Sequence, residues 1–562
     1  MCGIWGIFGS DEDLQTYFQK AYSIRHRGPD AFTLTNIEKF TNCLLCFHRL
    51  AITDSSGLGN QPMMIKDFPH IITMCNGELY NYKKLRDQYN FNFTSDCDCE
   101  ILIHLYAYGG IDFMVKMLDG VYAFCVVDTQ AKKVYIGRDT IGVRPMYRSY
   151  QEQRGFLAFS SEAKGIVDLN CLKTEITPLL PGLYEEYDVG LDGKASFVER
   201  KRFHSIEKLP KWADTSCPMP TGDDHAANIR LLFTEAVRKR FMSKRRIGCF
   251  LSGGLDSSLV SALAAKFAKE NGVKYALQTF SVGLEGSTDV AAARKVAAHI
   301  GSEHHEIVIT PEEGTGIIED VIYSLESYDI ITLRGSIAMY LVAKYIKEKT
   351  DTVVVYSGEG SDELFQGYIN FHLASSPEEA DEESRRLLND LYLFDVQRSD
   401  KIPAAHGLEI RVPFLDHHLI SYVLSIPQQE RGPRFGIEKY LLRKAFDGTR
   451  LLPDEILWRP KEGFSEGVSS TKKSWNVVLK EFVEDKVTES MMKEAPSLFP
   501  FNTPTTKEAF YYRQIFERRF GNHSSWIPYM WWPKWTNMVD PSARGMKHYK
   551  KSVHNCDDAN SS

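Results

Sequence analysis

Two groups of residues in this chain have the makings of reaction centres. The first is Cys2, in Met1-Cys2-Gly3-Ile4-Trp5. Removal of Met1 would put a thiol and an α-amine on one residue. With an ordinary pKa of about 7.7–8.0, that amine is partly neutral near pH 7 and can take the thiol proton. Nucleophile and base then come without a histidine. The second is Ser252-Gly253-Gly254-Leu255-Asp256-Ser257-Ser258, set between an apolar run and a helical pattern. Its glycines let backbone approach an anion, and its serines add donors. The helix start supplies unpaired N–H groups and the positive end of a dipole. This is a phosphate-binding arrangement without the Gly-x-x-x-x-Gly-Lys spacing of a P-loop. Alone, each group has a plainer reading, a chance cysteine and an ordinary strand-to-helix turn, so the surrounding sequence decides.

The elements that must position these groups come in two rhythms. Through the first 200 or so residues, short apolar or alternating runs predict strands at Ile4–Phe8, Leu44–Phe47, Ile71–Met74, Val121–Val127, Val134–Ile136 and Leu157–Phe159. Helical patterns cover Leu14–Ile24 and about Glu100–Tyr108. Together they imply an α+β layered domain. Proline, glycine and aspartate between about 205 and 225 suggest a linker. Beyond it, strands at Ile247–Leu251, Leu277–Val282, Glu306–Ile309 and Val353–Tyr356 alternate with helices at Ser258–Lys269, Val290–Ile300 and Ser336–Lys347. Such alternation implies a parallel sheet, which binds ligands at the C-terminal ends of its strands. Ser252–Ser258, Gly283–Asp289 and Ser357–Glu363 fall at such ends. Beyond about 380 the pattern is mainly helical, and the aromatic-rich Trp526–Trp535 reads as packing. The expected layout is 2–205, a linker 206–225, a second domain 226–540 and a polar tail 541–562.

Composition narrows the classes. A chain of 562 residues exceeds one core. Its net charge of −7 offers no basic field for a phosphate backbone, so nucleic acid is not an expected partner. No apolar run reaches the ~18 residues of a membrane span. A signal stretch is absent from the opening residues, so a cytoplasmic setting is expected. The 11 cysteines are odd in number and scattered along the chain, and Cys97 and Cys99 flank Asp98 too tightly for an ordinary disulfide framework. They read as reduced thiols, neither a disulfide framework nor a zinc site.

The serine–glycine string resembles the pyrophosphate loop of ATP pyrophosphatases, which cleave ATP between its α and β phosphates. That resemblance implies transfer of AMP to a substrate. Asp256 and Asp362 would then hold Mg²⁺ through oxygen, and Lys461, in Arg459-Pro460-Lys461-Glu462, would offset phosphate charge. The start of the chain resembles glutamine amidotransferases with an N-terminal cysteine nucleophile. The match runs through Cys2-Gly3-Ile4-Trp5-Gly6, Arg25-His26-Arg27-Gly28-Pro29-Asp30, His48-Arg49-Leu50, Asn76-Gly77-Glu78-Leu79-Tyr80-Asn81 and Asp98-Cys99-Glu100. This implies an αββα fold of the N-terminal-nucleophile hydrolase type. It also implies an oxyanion site at Asn76 and Gly77, and glutamine binding by Arg49, Leu50, Ala51, Ile52, Thr53, Glu78 and Asp98. Arg49 would fork onto the α-carboxylate and Asp98 would take the α-ammonium. His26 and His48 are read as structural, because the α-amine already fills the role of base.

The two halves in this order resemble the glutamine-hydrolysing asparagine synthetase family of eukaryotes, from Cys2 to about residue 540. Further matching strings are Arg138-Asp139, Ser161-Glu162-Ala163-Lys164, Ser357-Gly358-Glu359-Gly360-Ser361-Asp362-Glu363, Phe394-Asp395 and Glu409-Ile410-Arg411-Val412-Pro413-Phe414-Leu415-Asp416. The family implies glutamine, aspartate and ATP as substrates and Mg²⁺ as metal. It implies no organic prosthetic group, a homodimer, and a shielded passage for ammonia. Leu251, Val282, Ser357 and Gly358 would contact nucleotide beside Ser252, Gly253, Gly254, Asp256 and Ser257. Glu359 would serve the intermediate, as a base toward ammonia. One departure stands out: Tyr328-Asp329-Ile330-Ile331-Thr332-Leu333-Arg334 has Ile331 where the family has threonine, in a loop expected near substrate. Two alternatives remain beside this reading. A β-lactam synthetase would have no use for Cys2, Arg49, Asn76 and Asp98. A silent relative would need none of Cys2, Asp256, Glu359 or Lys461.

Overall fold

Residues 1–10, 12–169, 175–213, 219–461, 469, 474–538 and 540–541 are described by a computed structural model. One unit comprises Met1–Cys217, Met242–Arg246 and Ser399–Ile410. Its strands are β1 (Gly3–Phe8), β2 (Ala31–Asn36), β3 (Cys43–Arg49), β4 (Ile71–Leu79), β5 (Gly120–Asp128), β6 (Lys133–Arg138), β7 (Tyr147–Gln151), β8 (Phe156–Ser160), β9 (Ile176–Pro178), β10 (Leu183–Val189) and β11 (Ala195–Arg202). They form two sheets, ordered β2-β3-β1-β8-β7-β9 and β11-β10-β6-β5-β4.

Strand alternation builds the layers. Ile4, Phe8 and Phe47 meet Met74, Ala123, Cys125 and Ile136 in one buried cluster, so the sheets pack face to face. The intervening residues Cys75, Tyr122, Phe124 and Val126 point the other way, onto Leu85, Leu102 and Leu105 of helices Tyr82–Tyr89 and Ile101–Met117. On the far side Trp5 meets Tyr17 of helix Leu14–Tyr22. The result is α, β, β, α.

The other unit comprises Pro218–Phe241, Ile247–Arg398 and Arg411–Ser562. A third sheet, most of whose residues belong to this unit, holds β12 (Arg246–Phe250), β13 (Gln278–Gly283), β14 (Glu303–Val308), β15 (Thr352–Tyr356) and β16 (Glu409–Arg411), ordered β14-β13-β12-β15-β16. β13 runs parallel to both β12 and β14. Helices Leu255–Glu270, Thr288–Ile300 and Ile330–Lys349 supply the crossovers. The last begins earlier than the sequence pattern predicts, because Asp329 caps the Thr332 N–H at 3.0 Å and draws Ile330–Gly335 into the helix. Within the expected linker, 214–218 lie outside the described residues, and Asp224 caps helix His225–Lys239. Of the expected tail only Pro541 lies inside them.

Candidate active sites

Cys2 stands just ahead of β1. Its sulfur receives the Leu50 N–H at 3.3 Å, and its carbonyl accepts the Arg27 Nε–H at 2.9 Å. Arg27 is fixed in turn by Glu162 at 2.8 Å and Asp400 at 2.6 Å. Burial raises the Cys2 thiol pKa, and the adjoining α-amine charge is the first influence against it. Burial also pushes the Met1 amine down to about 6.

Asn76 and Gly77 lie on β4. The Asn76 amide is fully buried, and neither Nδ2 nor Oδ1 has a hydrogen-bond partner among the described residues. An unpaired buried amide is costly unless something polar is meant to meet it. At Gly77 a Cβ would stand 2.1 Å from the Val121 carbonyl oxygen, so only glycine fits there. Asp98 accepts the Thr53 hydroxyl at 2.9 Å and the Leu79 N–H at 2.7 Å, and burial pushes its carboxyl up to about 6. Glu78 is buried beside Asn76 and Gly77 in the chain. Ala51 donates its N–H to Asp30 at 2.8 Å, and the buried Ile52 accepts the Lys244 N–H at 2.9 Å.

Arg49 differs from the expectation. Its fork donates to the Asp54 and Ser56 carbonyls at 2.5 and 2.6 Å and to Asn60 Oδ1 at 2.8 Å. It thus braces the 54–60 loop here, and reaching a carboxylate with both arms requires that loop to yield. His48 contacts the Ala21 carbonyl at 2.8 Å, with burial pushing it down to about 4, and His26 contacts Glu162 at 3.0 Å. Both histidines are thereby committed to structure.

The second site is a cavity of about 250 Å³ at the C-terminal ends of β12, β13 and β15. Leu251, Ser252, Gly254, Asp256 and Ser257 line it at the start of helix Leu255–Glu270. Val282, Ser357, Gly358 and Lys461 complete the residues expected for nucleotide. Gly253 is set apart from the lining. Its φ of +75° and the 2.4 Å that a Cβ would leave to Ala293 N make it the residue that turns the loop. The Ser252 N–H donates to Ser257 Oγ at 3.1 Å and the Gly254 N–H to Ser252 Oγ at 3.3 Å.

Charge converges below the loop. Lys439 Nζ contacts Asp256 at 2.5 Å and Asp362 at 2.7 Å, and Lys461 Nζ reaches Asp362 at 2.7 Å. Despite burial, the two ammonium groups hold the Asp362 carboxyl well below the usual range. Glu359 goes the other way: burial pushes it up to about 7, against its pairing with Arg398 at 3.0 Å. Glu363 is likewise pushed up to about 8, by burial and by the Asp395 charge. Lys439 and Arg398 escaped the sequence reading. Lys439 sits in no recognisable string, whereas Arg398 lies three residues past the noted Phe394-Asp395 and was there to be found.

Ile331 lines the cavity, but from the first turn of a helix and not from a loop. Thr332 spends its hydroxyl on Asp329 at 2.7 Å, and Arg334 pairs with Glu508 and Asp540 at 2.7 and 2.9 Å. The aromatic segment does pack, Trp531 against Tyr368 and Trp535 against Phe371, yet Trp531 and Pro533 also wall the cavity.

Comparison with known proteins finds two family models that match this chain. A family model described as a glutamine amidotransferase domain matches residues 1–210, and one described as asparagine synthase matches 228–383 and 373–543. Among curated proteins, "Asparagine synthetase [glutamine-hydrolyzing]" of Gallus gallus is 54% identical over 561 residues, 98% of this chain and 100% of that one. The Homo sapiens protein of the same name is 52% identical over the same shares. Among solved structures, glutamine phosphoribosylpyrophosphate amidotransferase from B. subtilis aligns at 16% identity with a TM-score of 0.31, over 54% of this chain and 81% of that one.

Fold, sites and matches define a glutamine amidotransferase joined to an ATP-using synthase. Within that class, the chain belongs to the family of glutamine-hydrolysing asparagine synthetases.

Proposed function

We propose that the chain makes L-asparagine from L-aspartate and ATP with glutamine as nitrogen donor. Hydrolysis of glutamine is assigned to residues 2–205 and synthesis to residues 226–540. The observation that carries the reading is the convergence, in one cavity, of the serine–glycine loop, Asp256, Asp362, Lys439, Lys461 and the up-shifted Glu359.

In the first domain the Cys2 thiol, freed of its proton by its own α-amine once Met1 is removed, attacks the glutamine side-chain carbonyl. Burial of the kind that lowers the Met1 amine would keep a Cys2 amine neutral near pH 7. Asn76 Nδ2 and the Gly77 N–H stabilise the oxyanion, Asp98 takes the substrate ammonium, and Arg49 its carboxylate. Ammonia leaves with the thiol proton, and water then frees glutamate from the thioester.

In the second domain the aspartate β-carboxylate attacks the α-phosphorus, forming β-aspartyl-AMP and releasing pyrophosphate. Lys439 and Lys461 offset the charge that builds on the departing pyrophosphate. Asp256 and Asp362 would hold Mg²⁺, and they suit it because both carboxylates already converge on a single cation, Lys439 Nζ. When bound, that ion supplies further neutralisation of phosphate charge. Ammonia attacks the acyl carbon, the C–O bond to AMP breaks, and Glu359 takes the surplus proton. The cytoplasmic setting, the homodimer and the shielded passage rest on the family resemblance alone.

Aspartate labelled with ¹⁸O in its β-carboxylate tests the intermediate. The proposal predicts one ¹⁸O in the phosphate of each AMP released, whereas label found in pyrophosphate or in water would contradict it.

A further inference from the structure

The fold assembles a sulfur cluster that the sequence spacing does not announce. β4 delivers Cys75, and the turn Asp98–Glu100 delivers Cys99 beside Cys97. The neighbouring Cys75 side chain holds the Cys99 thiol pKa well above its ordinary value. Donor atoms of Cys97, Asp98 and Cys99 all lie within 4.8 Å of one another. Cys99 Sγ is 4.0 Å from Asp98 Oδ2 and 3.8 Å from the Gly77 carbonyl. All four side chains are buried: Cys75 is 1% exposed, Asp98 2%, Cys99 4% and Cys97 7%.

Thiols are weak donors and weaker acceptors, so their contacts with one another satisfy little. A thiophilic cation would bind those of Cys97 and Cys99 better. Two sulfurs on one tetrahedral zinc, at ~2.3 Å each, stand about 3.8 Å apart, which lies within the observed spread. Two sulfurs and one carboxylate select zinc or cadmium over magnesium or calcium.

We propose that Cys97, Asp98 and Cys99 form a binding site for a thiophilic divalent cation, and that its occupancy switches off glutamine use. Binding sends the thiol protons to solvent, so it strengthens as pH rises. The cation takes the carboxylate assigned above to the substrate ammonium, so the inhibitory part rests on that assignment. Synthesis from free ammonium does not involve Asp98 and continues.

The test adds one equivalent of Cd²⁺ to the intact enzyme in a thiol-free, Mg-ATP-containing buffer. A thiolate-to-cadmium absorption band should saturate at one cadmium per chain and persist in Cys2→Ala. Glutamine-dependent synthesis should fall in proportion to the cadmium bound, ammonium-dependent synthesis should hold, and a chelator should reverse the loss. In Cys97→Ala/Cys99→Ala the band should vanish and glutamine use should become cadmium-resistant, with ammonium-dependent synthesis certifying the fold. Absence of the band in the native enzyme, or its survival in the double variant, would overturn the site. A band with undiminished glutamine use would overturn the switch and leave the site. Loss of ammonium-dependent synthesis in the native enzyme would instead count against the function proposed above.

Discussion

Asn76 keeps a fully buried amide on β4 without a partner among the described residues, where a neighbouring glycine tolerates no side chain. If that amide serves the oxyanion, Asn76→Ala should lower the rate of glutamine hydrolysis by ~10²–10³ and spare synthesis from ammonium. Steady-state rates with each nitrogen source check this. The two up-shifted carboxyls give the halves different pH dependence. Asp98 must be ionised to hold an ammonium, so kcat/KM for glutamine should rise with pH through about 6. Glu359 must be ionised to accept a proton, so ammonium-dependent synthesis, expressed per unit free ammonia, should rise through about 7. A single profile common to both nitrogen sources would refute these assignments.

The start of helix Leu255–Glu270 and the end of β15 approach so closely that a Cβ on Gly358 would stand 2.8 Å from Asp256 Cβ and 2.9 Å from Ser257 N. Gly358→Ala should push the two apart and cost about 10²-fold in synthesis from either nitrogen source, the scale of a misplacement near 1 Å. Glutaminase activity should be unchanged. The first turn of helix Ile330–Lys349 gives a milder test. If the hydroxyl missing at Ile331 would reach substrate, Ile331→Thr should raise kcat/KM for aspartate about two- to tenfold, equivalent to ~0.5–1.5 kcal/mol. Much at this scale was legible beforehand. The apolar strands and the crossover helices declared themselves because burial on both faces leaves uninterrupted apolar runs. β2 and β11 did not, because largely exposed strands look like loops, and β10 did not, because the buried Glu185 and Glu186 interrupt its apolar run. The strings proposed as catalytic stood out in the sequence by their spacing and residue type. Lys439 and the partners of Arg49 were not, since only the fold brings them from a distance in sequence.

At the scale of the whole molecule, the two sites are proposed to exchange only ammonia. Free ammonia would be protonated in bulk water, and this motivates the proposed shielded passage. Because each site has its own residues, damage to one should leave the chemistry of the other intact. The most direct measurement is asparagine and pyrophosphate formation from aspartate and Mg-ATP, with glutamine or with ammonium, by the native chain and by Cys2→Ala. The account predicts that the native chain uses both sources and that the variant uses ammonium alone. A variant that still uses glutamine, or a native chain that makes asparagine from neither source, would contradict it.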